Sequence, residues 1–213
     1  NGVDVSAPGG YRWTVVGVSN VTGATSQAAP VTGPIVQTLT LSPSSTSAGQ
    51  VTYRIVPVSA AGCAGSSIDV TVDVSPTPLA VASGQTICSG SATSVVLSEA
   101  NALSGTTYSW TVSNNTNVSG AVNGAGSVIS QVLSSADGLT QGTIDYNITA
   151  TRNGCSQGTP TTITVTVNPL PNAMGTPASQ QICDGGSTNI VLSTPNGVDV
   201  SAPGGYRWTV VGV

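Results

Sequence analysis

The sequence predicts an all-β protein assembled from tandem β-sandwich modules. Its composition favours strands, because Val, Thr and Ile are plentiful and β-branched residues fit a pleated, half-buried surface. The 26 Gly and 13 Pro among 213 residues supply the turns that many short strands require. The third observation is an internal repeat, which sets the module length before any strand is assigned.

The two ends of the chain carry the same sequence. Residues 1–18 and 196–213 both read NGVDVSAPGGYRWTVVGV, so the repeat has a period of 195 residues, the separation of Asn1 and Asn196. Eighteen consecutive identities make coincidence an unsatisfactory explanation. We expect the chain to be an internal piece of a longer repeating polypeptide, slightly longer than one period.

A second, weaker repeat lies inside each period. QTIC at 85–88 corresponds to QQIC at 180–183, and TSVVLS at 93–98 corresponds to TNIVLS at 188–193. Five further blocks keep the same order once the period is applied: YSWTV 108–112 with YRWTV 11–15, NVSGA 117–121 with NVTGA 20–24, ISQVLS 129–134 with IVQTLT 35–40, GTIDYNITATRNGC 142–155 with GQVTYRIVPVSAAGC 49–63, and TITVTVNPLP 162–171 with SIDVTVDVSPTP 67–78. Each period therefore holds two related modules.

These matches predict where the modules lie. Residues 1–75 are expected to form the C-terminal part of one module, from its third strand onward. Residues 84–168 should form a complete module, and residues 180–213 the N-terminal part of the next copy of the first one. Proline-bearing joints at 75–80 and 168–177 separate them, because Pro stiffens a joint and lacks the N–H that a sheet needs.

The complete module shows the alternation of apolar and polar residues that is typical of strands packed on one face. Ile144, Tyr146 and Ile148 share one face of such a strand, with Asp145 and Asn147 on the other. About seven strands are predicted, near 85–88, 93–98, 107–112, 117–122, 127–134, 142–151 and 161–168. This number and spacing indicate a sandwich of the immunoglobulin-like kind.

Aromatic residues occupy the core positions of that predicted fold. Trp110 on the third strand fits the central core tryptophan of immunoglobulin-like sandwiches, and Trp13 and Trp208 hold the same place in the other copies. Tyr146 and Tyr53 lie where such folds place a tyrosine near the start of the penultimate strand. We expect all five side chains in module cores.

Each module has one cysteine beside its first strand and one just after its sixth. Cys88 and Cys155 are expected to form an intramodule disulfide, which would imply an oxidising compartment and add about 4 kcal/mol of stability. Cys63 and Cys183 belong to different modules, and each is expected to pair with a neighbouring repeat copy. The cysteines lack CxxC spacing and the chain has no His, so a zinc site is disfavoured.

The charge balance argues against several function classes. Only 6% of residues are charged, with four Arg, no Lys and a net charge of −4, so phosphate neutralisation and hence nucleic-acid binding are not expected. The chain has no His, GxSxG elbow or P-loop. We therefore predict no enzymatic activity, no catalytic residues, no metal and no cofactor. No apolar run reaches the length of a membrane span, so no membrane insertion by this segment is predicted.

Two weaker signals leave calcium binding and glycosylation open. Asp69 and Asp73 lie at i and i+4 of one predicted strand and share a face, an arrangement that could hold calcium weakly. Solvated strand polarity explains them better, because no Asp-x-Asp-x-Asp loop accompanies them. Asn-x-Ser/Thr sequons leave glycosylation open at Asn20, Asn114, Asn117 and Asn147.

Several blocks of the complete module carry a family resemblance. ICSGSATSVVLS, TTYSWTV, ISQVLS, IDYNITATRNGC and TITVTVNPLP resemble the PKD-like, immunoglobulin-like repeats of very large Bacteroidota cell-surface proteins. The resemblance covers residues 85–171 and is looser in the other module. It implies long extracellular arrays at the cell surface, in some members gliding-motility adhesins, and no shared catalytic residues.

The function predicted first is that of a stalk or spacer in a surface adhesin or filament. Its partners would be neighbouring copies of the same repeat and an unknown surface ligand. A second hypothesis is a polymer of separate subunits joined by strand complementation, although the two copies of the third strand would then compete for one position in the sheet. A third is a spacer or binding module of a secreted polysaccharide-degrading enzyme, which predicts an exposed aromatic strip formed by Tyr11, Tyr108 or Tyr206.

Overall fold

The computed structural model of the chain describes residues 9–42, 46–200 and 204–211. Every regular element in these ranges is a β-strand, which confirms the predicted all-β class. Among them there is accordingly no helix with the length and apolar character to cross a bilayer. The chain forms two compact units, Asn1–Pro78 with Arg152–Cys155, and Leu79–Thr151 with Ser156–Val213.

The N-terminal module segment contains β1 Gly10–Ser19, β2 Val21–Thr22, β3 Gln27–Val31, β4 Thr40–Leu41, β5 Gly49–Val58 and β6 Ile68–Val74. Four of these form an antiparallel sheet in the order β3-β1-β5-β6, and β2 pairs with β4. The alternating pattern of β5 buries Val51 and Tyr53, which pack with Trp13 and Val21 in a small core. Partly buried residues, not fully buried ones, complete this core.

The middle sandwich contains β7 Ala80–Val81, β8 Gln85–Cys88, β9 Ser91–Ala92, β10 Val95–Val96, β11 Ser98–Glu99, β12 Thr107–Thr116, β13 Val118–Ser119, β14 Gly124–Ala125, β15 Val128–Ile129, β16 Val132–Ser135, β17 Gly142–Arg152, β18 Cys155–Ser156 and β19 Thr161–Asn168. Its main sheet has the order β14-β12-β17-β19-β8, with β18 paired to β17. The short strands form the opposite layer as β13-β16-β9, β10-β15 and β11-β7. Ile144, Tyr146, Ile148 and Ala150 on β17 are fully buried between them, because alternate residues of a strand face the same side.

The outer edge of the main sheet is closed by a parallel strand. β8 runs alongside β19, with Val165 opposite Gln85 and Asn168 opposite Cys88. The other neighbours in this sheet are antiparallel. Ile87 of β8 is 8% exposed and belongs to the core, so this short strand pairs with the edge of β19 and extends the apolar face of the sheet.

The strands expected at 93–98 and 127–134 are each divided in two. β10 pairs with β15, whereas β11, only two residues later, pairs with β7. β15 and β16 divide in the same way, because β16 pairs with β13 and β9. A chain segment that changes partners cannot keep one continuous ladder, and a pattern of alternating residues does not show which partner it meets.

The C-terminal segment, residues 169–211, holds β20 Met174–Thr176 and β21 Val191–Ser193, which pair antiparallel. The third strand expected in this segment is not formed in the described residues 204–211. Trp208, expected in a core, is 80% exposed. In the other copies the third strand is held by β5 or β17, and residues 204–211 make no such pairing. The expected module parts 1–75 and 180–213 also include residues 1–8, 43–45, 201–203 and 212–213, which lie outside the described residues.

Candidate functional site: a repeated core network and an open sheet edge

A network of four hydrogen bonds lies in the core of the middle sandwich. Trp110 Nε1 and Gln131 Nε2 both donate to the Val122 carbonyl, at 3.2 and 2.8 Å. Gln131 Oε1 accepts from the Tyr146 hydroxyl at 2.9 Å and from the Val122 backbone N–H at 3.0 Å. The buried indole and phenol are thereby satisfied, which removes the penalty of burying them. The network also ties the loop at Val122 to both sheets.

The N-terminal module segment contains the same four bonds. Trp13 Nε1 and Gln37 Nε2 donate to the Thr25 carbonyl, at 3.0 and 2.8 Å. Gln37 Oε1 accepts from the Tyr53 hydroxyl at 2.8 Å and from the Thr25 backbone N–H at 3.0 Å. The tryptophan and tyrosine positions were recognised in the sequence, whereas the glutamines were not. Their signal was present in the matched blocks ISQVLS and IVQTLT, where Gln is the only polar residue they share at an identical position.

Burial shifts the acidity of the tyrosines in both networks. Desolvation raises the pKa of Tyr146 to about 12, because the ionised phenolate would lose its water in the sandwich. The pKa of Tyr53 is raised in the same direction and for the same reason. Both hydroxyls therefore remain donors at physiological pH, and their roles are structural.

The loop after β16 is organised by one carboxylate. Asp137 accepts hydrogen bonds from the backbone N–H groups of Leu139 and Thr140, from the Thr140 hydroxyl and from Asn117 Nδ2. These four donors stabilise the charged form, so the pKa of Asp137 lies far below its ordinary value. The carboxylate is a turn anchor with its acceptor capacity in use.

The sequon asparagines also take part in local structure. Asn117 has a φ of 56°, and its Nδ2 donates to Asp137, Ser135 and Thr140. Asn20 has the corresponding φ of 58°, and its Nδ2 donates to the Ser47 carbonyl. Asn tolerates this left-handed conformation better than most residues do. A glycan would take one of the two hydrogens of either Nδ2, and turn formation accounts for both asparagines without it.

The two carboxylates considered for calcium have other partners. Asp69 forms a bidentate ion pair with Arg54 at 2.8 Å, which lowers the pKa of that carboxyl group. Asp73 accepts a hydrogen bond from Gln50 Nε2 at 2.8 Å. Three or more potential ligands from His, Cys, Asp and Glu nowhere come together within residues 9–42, 46–200 and 204–211. The shared face of Asp69 and Asp73 is thus a polar strand surface.

The predicted Cys88–Cys155 disulfide is wrong, since Cys63, Cys88, Cys155 and Cys183 are all free thiols. The register of the main sheet explains why. Cys88 lies opposite Asn168, beyond the Gly142 end of β17, whereas Cys155 follows the Arg152 end of the same strand. An 11-residue strand at about 3.3 Å per residue separates them by roughly 30 Å, far beyond disulfide reach. The sequence placed both cysteines near paired strands but did not show that those strands expose them at opposite ends.

The N-terminal module segment has an open sheet edge at β6. Ile68, Val70 and Val72 of that strand are 61, 40 and 36% exposed. Next to them is a groove of about 260 Å³ lined by Ile35, Gln37, Leu39, Tyr53, Ile55, Val70 and Val72. Among the described residues, β6 pairs with β5 and with no strand on its other side. This edge therefore presents exposed apolar side chains beside unpaired backbone groups.

The tyrosines that could form a sugar-binding strip lie in three different segments. Tyr11 on β1 is 40% exposed, whereas Tyr108 on β12 is partly buried and packs against the core of the middle sandwich. Desolvation raises the pKa of Tyr108, with a smaller effect from the charge of Glu99. Tyr206 lies outside the strands. Within each segment, these positions offer one tyrosine and not a row of stacking platforms.

The fold and the repeated network define a class of protein, the tandem β-sandwich proteins of immunoglobulin-like architecture. A family model described as a PKD-like domain matches residues 2–78 and again residues 85–171. The chain belongs to this PKD-like family and carries the domain in two copies. No curated protein matches the chain.

Proposed function

We propose that the chain is a structural repeat segment of an extracellular surface adhesin or filament, in which it acts as a stalk or spacer. The observation that carries this proposal is the same Trp–carbonyl–Gln–Tyr network in both PKD-like copies. A core repeated bond for bond supports a role in which one mechanical unit is used many times. Length is the property that such a unit provides, and identical copies provide it as well as different ones.

The mechanism of a spacer is geometric. Covalently linked sandwiches hold a ligand-binding region of the parent protein away from the surface, and their polar outer faces remain in water. In this proposal residues 84–168 are one complete module, and residues 1–75 and 180–213 are parts of modules that continue into neighbouring copies. Its partners are those copies and an unknown surface ligand, with no nucleic acid, no membrane insertion and no catalysis by this segment.

The cellular setting belongs to the same proposal. PKD-like domains typically occur in extracellular or cell-surface proteins. The blocks that resemble Bacteroidota surface repeats favour a gliding-adhesin type of parent protein. Because the thiols are free, we assign the stability of the spacer to its cores and turn networks and not to disulfides.

The mass of the native polypeptide, denatured and reduced, tests the spacer function. We expect a mass of many periods, as measured by gel electrophoresis and mass spectrometry of the source protein. A mass near 20.9 kDa would contradict the covalent array. It would favour instead the second candidate, a subunit that polymerises through the open edge of β6.

A further inference from the structure

The groove beside β6 has a structural counterpart that is filled. Its apolar lining residues correspond, in the matched blocks and in the register of the sheets, to residues of the middle sandwich that are at most 7% exposed: Ile129, Leu133, Tyr146, Ile148, Ile163 and Val165. The groove is therefore the apolar core of a sandwich from which one layer of strands is missing among the described residues.

In the middle sandwich that space is filled by β8 and the strand region that follows it. Ile87, Val95 and Leu97 are 8, 4 and 4% exposed. Thr93 adds a polar anchor, because its hydroxyl donates to the Ile129 carbonyl at 2.8 Å and accepts from the Gln131 backbone N–H at 2.9 Å. Filling such a groove thus requires apolar side chains at three positions and one hydroxyl.

The C-terminal segment presents the same set of groups, and two features of its turn match those of the middle sandwich. Gln180 Oε1 accepts from the Asn189 backbone N–H at 3.0 Å, as Gln85 Oε1 accepts from the Ser94 N–H at 2.9 Å. The intervening turn has a glycine at positive φ in both cases, 78° at Gly185 and 82° at its counterpart in the middle sandwich. The side chains that should be buried are nevertheless exposed, namely Ile182, Ile190 and Leu192 at 46, 50 and 40%.

We propose that residues 180–193 of a second copy of this chain dock into the groove and complete the N-terminal module segment. The pairing of β8 with β19 sets the register: Gln180 to Cys183 run parallel to β6, with Ile182 opposite Val74 and Cys183 opposite Ser75. Thr188 takes the role that Thr93 has in the middle sandwich. Its hydroxyl donates to the Ile35 carbonyl and accepts from the Gln37 backbone N–H. Strand addition to an open edge supplies main-chain hydrogen bonds, and the pockets for alternate side chains supply specificity.

This inference deepens the proposed spacer function, because the second copy would be the neighbouring repeat in a covalent array. In the 213-residue chain by itself, the second copy is another molecule. The isolated chain should therefore associate head to tail, with one docking surface at each end. Its association can be measured without reference to the mass of the native polypeptide, so failure of one idea leaves the other standing.

Complementary variants give the sharpest test. Val72→Asp disables the groove but leaves the docking segment intact, and Ile182→Asp does the reverse. By analytical ultracentrifugation we expect the unmodified chain to form oligomers that grow with concentration, and each variant alone to be monomeric. An equimolar mixture of the two should form a 1:1 heterodimer, because one competent surface of each kind remains. Misfolded variants would not form this heterodimer, so its appearance would show that both variants are folded.

The register is tested by cysteine crosslinking in a chain with Cys63, Cys88 and Cys155 changed to Ser. Ser75→Cys should form an intermolecular disulfide with Cys183 on mild oxidation, because paired parallel strands place their Cα atoms within disulfide reach. The matched control is Asp69→Cys, which lies on the same side of the strand but about 20 Å away along it.

Three results would overturn the inference. The first is a chain that stays monomeric at every concentration, and the second is a mixture of variants that yields no heterodimer. The third is a disulfide that joins Cys183 to the thiol introduced by Ser75→Cys within one monomeric chain, which would identify the occupant as the segment of the same molecule. Equal crosslinking of Asp69→Cys and Ser75→Cys would refute the register.

Discussion

The N-terminal module segment and the middle sandwich place nearly the same strand in different surroundings. By their register in the sheets, Val70 and Val72 of β6 correspond to Ile163 and Val165 of β19. The first two are 40 and 36% exposed, and the second two are 7 and 0% exposed. The difference lies in the neighbour, since β8 covers β19 and no described strand covers the outer edge of β6. Burial is thus a property of the assembled sheets and not of the strand.

The largest expected effect comes from introducing a carboxylate into each of these two strands. Val165→Asp should destabilise the middle sandwich by at least about 3 kcal/mol, because a carboxylate without a partner is costly in a closed core. Val72→Asp, at the corresponding position of β6, should cost about 0.5 kcal/mol or less, because its side chain already meets water. Urea unfolding followed by segment-resolved hydrogen exchange measures both. Equal costs would contradict the contrast between the open and closed edges.

A smaller effect should appear in the repeated network. Tyr146→Phe removes a hydrogen bond in a fully buried site and should cost about 1 kcal/mol. Tyr53→Phe should cost less, because the groove beside Tyr53 admits water that can replace the lost partner on Gln37. The same unfolding experiment compares the two variants. A larger cost for Tyr53→Phe would show that the N-terminal core is the more completely closed one.

Alkaline pH offers a second comparison of these tyrosines. The pKa of Tyr146 is raised to about 12, so the folded state disfavours the phenolate relative to the unfolded chain. The stability contributed by the neutral phenol is complete below about pH 10 and is lost as the pH rises from there towards 12. We expect unfolding of the middle sandwich to become easier over that window. Tyr146→Phe should abolish this dependence, and its persistence in that variant would assign it elsewhere.

Acid should destabilise the middle sandwich more than the N-terminal module segment. The pKa of Asp137 is lowered by its four donors, so its contribution is present above about pH 4 and is lost as the pH falls below that value. The corresponding stretch of the N-terminal segment, LSPSSTSA at 41–48, contains no carboxylate. The melting temperature of the middle sandwich should therefore fall in acid, and Asp137→Asn should lower it at neutral pH and flatten the acid response. An unchanged acid response in Asp137→Asn would refute this assignment.

The smallest expected effect concerns the cysteines. Cys88→Ser with Cys155→Ser should change the free energy of unfolding by about 0.5 kcal/mol or less, whereas loss of a disulfide closing this loop would cost about 4 kcal/mol. Alkylation of the denatured chain without prior reduction should add four adducts, as counted by mass spectrometry. A count of two adducts would show that one disulfide is present and would contradict the free thiols.

The sequence was sufficient for the fold because its signals are local or repetitive. Alternation along residues 142–151 and the matched blocks predict β17 and its counterpart β5, and the fold class follows from them. The glutamines of the core network were missed because a polar residue within an apolar block is ordinarily an exposed one. Their buried role depends on a carbonyl twelve and nine residues away from Gln37 and Gln131, at Thr25 and Val122.

The sequence by itself determined the strand class, the period and the matched aromatic positions, because each depends on residue type and spacing along the chain. The tertiary structure decided which strands meet. It placed Cys88 and Cys155 at opposite ends of a sheet, left Trp208 exposed, and buried Val165 while exposing Val72. The physical reason is that burial and disulfide reach depend on a partner strand and its register. Those are set by distant segments, which the local pattern of a strand does not encode.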